Sequence, residues 1–81
     1  MTIEQMNNKA YAMYKDLGKL DMRVFNHFHD WLDDVVSQLG YLEDYPEDDN
    51  TELAKKYFEC IKSIHKSALE MDKAYKIWKS C

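Results

Sequence analysis

The chain has 81 residues, 46% of them apolar, with six Tyr, two Trp and three Phe but only two Gly and one Pro. This makes one domain, 1–81, near the small end for a self-sufficient core, and it excludes intrinsic disorder, which needs few aromatics and little to bury. The formal net charge of −4 and the absence of any apolar run near the roughly 20 residues of a membrane span leave a soluble acidic protein as the expectation. The N-terminus lacks the apolar stretch of a signal peptide, so the expected compartment is the cytoplasm.

The charge is segregated along the chain. Residues 1–23 carry four basic and three acidic groups, residues 24–54 carry nine carboxylates and no Lys or Arg, and residues 55–81 carry seven Lys and three acids. A division of that kind produces a directional field, which bears on partners rather than on fold.

The pattern is helical throughout, with no strand alternation. Thr2 followed by Gln5 reads as a capping box opening a first helix over about 2–17, and its apolar seam runs Ile3, Met6, Ala10, Met13, Leu17, Leu20 and Val24 in steps of three and four. The seam then slips by one residue to Phe25, Phe28, Leu32, Val35, Leu39 and Leu42. Gly18 precedes the slip and Asp21 can cap a new helix, so the spacing predicts a second helix over 21–39. The alternative is a hairpin whose first arm, 2–39, is continuous, because a Gly inside a helix costs only about 1 kcal/mol.

Gly40 reads as the C-terminal cap of the second helix, and Tyr41–Asn50, with the sole Pro, as the one real loop. Asp49 or Asn50 then caps a last helix over 51–79. Its seam of Ala54, Tyr57, Ile61, Ile64, Ala68, Met71, Tyr75 and Trp78 keeps three-four spacing for more than three heptads, a coiled-coil-like pattern. The expected fold is an all-α three-helix bundle with a long C-terminal helix. At about 1.5 Å per residue that helix outruns its neighbours. One end, bearing either Tyr57 and Phe58 or Tyr75, Ile77 and Trp78, is therefore left short of partners. A homodimer through Tyr57, Ile61, Ile64, Ala68, Met71, Tyr75 and Trp78 follows as an expectation.

Candidate chemistry is thin. His27, His29, Asp30, Asp33 and Asp34 have helical spacings that could hold a divalent metal, but a bundle metal site needs further ligands on facing helices, and the first helix offers only Glu4 and Asp16. Surface His–Asp pairing is the expectation, with no metal and no cofactor. Cys60 and His65 lie about 140° apart around their helix and cannot form a nucleophile–base pair. The two cysteines, Cys60 and Cys81, make neither a disulfide framework nor a CxxC motif. No Gly-rich phosphate loop or nucleophile elbow is present, so no enzymatic activity is expected.

Two charged surfaces remain. Lys55, Lys62, Lys66 and Lys73 fall near one line along the last helix, a possible but unfavoured nucleic-acid stripe, since Glu59 and Glu70 interrupt it and Arg23 is the single Arg. Alternatively, the stripe serves as an internal counterpart to the acidic block. That block comprises Asp30, Asp33 and Asp34 on the outer face of the second helix and Glu43, Asp44, Glu47, Asp48 and Asp49 in the loop, with Trp31, Tyr41 and Tyr45 among them. Carboxylates steer a basic surface and rings supply contact energy. The expected function is a non-enzymatic module that binds, and regulates or inhibits, a protein partner with a basic surface, in one version by mimicking nucleic acid. In type, with no motif behind it, the chain resembles the small acidic helical proteins of phage that block host machinery. A structural or oligomerisation module is the alternative.

Overall fold

The structure, a computed structural model, describes residues 2–44 and 51–79. It is an all-α bundle of three helices: α1, Ile3–Leu17; α2, Met22–Asp44; and α3, Thr51–Lys79. The capping box at the start of α1 is formed: the Gln5 amide donates to the Thr2 hydroxyl at 3.1 Å and the Thr2 amide to the Gln5 side chain at 2.9 Å. Two of the orphan amides at that helix end are thereby satisfied.

The first two helices are separate. After Leu17 the chain tightens into three-residue turns, with Gly18, Lys19 and Leu20 amides donating to the carbonyls of Lys15, Asp16 and Leu17 at 3.0–3.2 Å. Asp21 then restarts the helix as its N-cap, its carboxylate accepting from the Arg23 amide at 2.9 Å.

The expected end of α2 needs correction. Gly40 does not cap it; the helix continues through Gly40, and Tyr41, Leu42, Glu43 and Asp44 are helical rather than loop. Leu42 extends the apolar seam and is buried, and Glu43 accepts a hydrogen bond from the Asn7 side chain on α1. Burying a Leu side chain stabilises by about 1.5–3 kcal/mol, more than the roughly 1 kcal/mol that Gly costs in a helix interior. The capping roles given to Asp49 and Asn50 lie outside the described residues.

The three helices close around one core whose largest fully buried side chains are Met6, Leu17, Leu32, Leu39, Ile61 and Val24. Val36 and Phe58, off the expected seams, are also buried, because each seam widens to meet two neighbours instead of one. Asp21 beside Asp72, and Val35 beside Ile64, show that α2 and α3 run antiparallel. The excess length of α3 falls at its C-terminal end, where Ile77 and Trp78 are each 66% exposed while Phe58 is buried. Among the described residues no helix is long and apolar enough to cross a membrane.

Candidate functional site

On one side of the bundle α2 and α3 leave an open groove of about 540 Å³. From α2 it is lined by Trp31, Asp34 and Val35, and from α3 chiefly by Glu59, Cys60 and Ile64. The floor is apolar: Val35 and Ile64 are half-buried, their inner faces packed on the core. Trp31 stands at the wall 67% exposed, far more than a ring of its size needs if it served only packing. Carboxylates form the rim. Asp34 has no ion-pair partner among the described residues, whereas Glu59 is held 2.9 Å from Lys62 and Asp30 3.3 Å from His29. The negative rim is therefore carried mainly by α2.

At 100° per residue, Asp30, Trp31, Asp34 and Tyr41 fall within about 100° of arc on α2, running from Trp31 at the edge facing α3 to Asp30 on the outer face. All four are exposed. Asp33 and Asp44 are exposed further round the outer face, contiguous with the patch but away from the groove. Glu43 lies on the opposite edge, half-buried and bonded to Asn7, so it belongs to the contact with α1. Tyr45, Glu47, Asp48 and Asp49 lie outside the described residues.

The residues assigned to self-association are largely spent inside the molecule. Ile61 and Ala68 are fully buried, Tyr57, Ile64, Met71 and Tyr75 pack against the core, and only Trp78 is strongly exposed. Trp78 has work of its own. The Arg23 guanidinium lies over the Tyr75 and Trp78 rings at 4.9 and 5.7 Å from their centroids, a cation–π contact at the far end of the same seam.

That end carries the most elaborate polar cluster. Asp72 is buried on the inner face of α3, and its carboxylate accepts the Asp21 amide at 3.0 Å and pairs with Lys76 at 2.9 Å. Asp21 in turn pairs with Lys79 and, at 3.5 Å, with Arg23. The Lys79 hydrogen bond and the Arg23 amide hold the Asp21 carboxyl down to about 2, below its ordinary 3.8. The Asp21 amide and Lys76 lower that of Asp72 in the same way. Residue spacing alone did not single out Asp72. The available signal was a carboxylate four residues after Ala68, on the buried face of an otherwise apolar stripe.

The remaining candidates separate. His65 turns toward α1, its Nε2 3.0 Å from an Asp16 oxygen, while Cys60 opens onto the groove. His29 stacks on Phe25 at 4.9 Å and His27 meets Phe28 edge-on at 4.7 Å. Among the described residues no three His, Cys, Asp or Glu side chains converge as a metal site would require. Three of the four stripe lysines pair with acids of their own helix, Lys55 with Glu52, Lys62 with Glu59 and Lys73 with Glu70, at 3.4, 2.9 and 3.7 Å, while Lys66 is exposed. No described Lys pairs with Asp30, Asp33 or Asp34. The groove residues Val35 and Ile64 were not separable from core by sequence, since one spacing serves both, and Cys60 lies off the seam. Compared with protein-family models, curated proteins and solved structures, the chain matches none of them.

Proposed function

We propose that the protein is a non-enzymatic interaction module that binds a basic protein surface through the Trp31 edge of α2 and the groove beside it. The observation that supports this most directly is the exposed indole of Trp31, set over the apolar floor of Val35 and Ile64 with Asp34 on the rim. Aromatic rings in a partly enclosed apolar setting carry most of the energy of protein interfaces, and like-signed charge around them raises the encounter rate of opposite-signed partners. Asp30, Asp33 and Asp34 supply that charge from a rigid helix. Where the partner's basic surface normally holds nucleic acid, binding excludes the nucleic acid, and the module acts as an inhibitor.

The test compares proteins captured from lysate by the native chain with those captured by two variants, Trp31→Ala and the triple change of Asp30, Asp33 and Asp34 to Asn. The expected result is a basic partner retained by the native chain, released by salt near 0.5 M, where the Debye length is about 4 Å, and lost with either variant. Retention unchanged in both variants would sink the proposal.

A further inference from the structure

We infer that the occupant of the α2–α3 groove is a single basic amphipathic helix, laid along the seam with its apolar side on Trp31, Val35 and Ile64. This rests on the reading of the acidic edge as a binding surface and adds the shape of what binds. The groove is an open trough between two antiparallel helices, the form into which a third helix packs ridge-to-groove. It also continues beyond its lining residues. Leu53, Cys60 and Ile64 lie within about 40° of one line on α3, and Tyr41 stands about 15 Å along α2 from Trp31. Leu53 is 42% and Tyr41 59% exposed, so contact surface extends over about three helical turns.

The outer edge of α3 along this seam mixes small side chains with the longer Lys56 and Glu59. Cys60, Ser63 and Ser67 are all exposed there, and they let another backbone come close. The opposite edge carries Asp34, with Asp30 one turn earlier and further out on the solvent side, so negative charge meets Lys or Arg on the outer flank of a helix lying alongside. The same charges decide against a second copy of this chain. Groove-to-groove pairing about a two-fold axis is isologous: an axis across the groove sets Asp34 against its own equivalent, and an axis along the groove sets it against the edge that carries Glu59, so either arrangement brings carboxylates together around a desolvated contact.

The experiment uses the full chain with Trp78→Phe and Cys81→Ser, which leaves Trp31 and Cys60 as the sole tryptophan and cysteine. Three synthetic peptides of about 18 residues, five helical turns, are titrated. One is a Leu/Lys amphipathic helix, one a scramble of equal composition, and one a Leu/Glu helix; unstructured polylysine serves as a charge-only probe. The Leu/Lys helix is expected to blue-shift Trp31 emission and to bind at least about tenfold more tightly than the scramble, a difference of about 1.4 kcal/mol. The Leu/Glu helix should not bind. With one Leu replaced by a Cys carried as its thiopyridyl mixed disulfide, the Leu/Lys peptide should exchange onto the Cys60 thiol with release of pyridine-2-thione, and a bulky maleimide on Cys60 should abolish the preference over the scramble.

Equal salt-sensitive binding of helix, scramble and polylysine, with no Trp31 shift, overturns the helix inference and leaves the acidic-surface reading standing. Absence of binding by the basic peptides and by polylysine removes both. A dimer of the free chain that Trp31→Ala dissociates gives the groove to a second copy and overturns the inference as well.

Discussion

Asp72 joins three parts of the chain at one carboxylate: the Asp21 amide at the start of α2, Lys76 one turn ahead on α3, and through Asp21 the Lys79 side chain. Burial would ordinarily favour its neutral acid, but an amide donor and an ammonium both favour the charged form and together outweigh desolvation. The sign of the pH dependence follows. Both carboxyls bind protons less readily in the folded than in the unfolded state, so their contribution is complete above the ordinary value of 3.8 and fades as pH falls below it, for Asp21 toward about 2. Melting temperature measured from pH 5 to pH 2 is expected to fall through that window, and Asp72→Asn is expected to lower the pH 5 value and flatten the slope. An unchanged slope in the variant would show that the acid sensitivity arises elsewhere. Spacing puts Asp72 on the buried face of α3 and makes Asp21 a cap, but it does not pair them, since the bond between them spans 51 residues.

At the level of elements, the start signals are local and were legible. Thr2 with Gln5, and Asp21 after the Gly18 break, each satisfy amides within the next turn, so nothing distant is needed to read them. Stop signals are ambiguous, as Gly40 shows. Gly after an apolar run suits a cap or an interior position equally, and what decides is whether Leu42 finds a core and Glu43 finds Asn7. A measurable consequence follows. A methyl group at Gly40 would sit 3.9 Å from the Asn7 side chain, an ordinary contact, on a helix-interior backbone without positive φ. Gly40→Ala is therefore expected to stabilise the fold by about 0.5–1 kcal/mol in urea denaturation. A true cap at Gly40 would give destabilisation. The groove follows the same logic. Trp31 stands out as an aromatic among acids, but Val35 and Ile64 keep helical spacing whether they face a core or a trough, so only the packing of α1 on the other side separates the two.

For the molecule as a whole, the two charged surfaces lie on different sides of a rod with Cα extents of 53 × 16 × 15 Å. The acidic edge of α2 borders the groove, while the Lys stripe follows the edge of α3 nearer α1 and is tied to Glu52, Glu59 and Glu70 of its own helix. The bend that makes this rod a bundle has an unusual origin. Gly18 sits at φ −66° and ψ −14°, within the right-handed helical region, and no described residue has positive φ. Gly18 itself therefore does not turn the chain; the break falls over 19–21, after the three-residue turns and at the Asp21 cap. What holds α2 back against α1 includes Asp72 and Lys79, reaching from another helix to the very residue where the two part. The corner is accordingly formed by local bonds and latched from a distance as well. Releasing it with Asp72→Ala together with Gly18→Ala is expected to let α1 swing out and pack on a neighbouring molecule, giving a domain-swapped dimer in light scattering at high concentration. Such a pair would contain the same helix contacts as the monomer, exchanged between two chains.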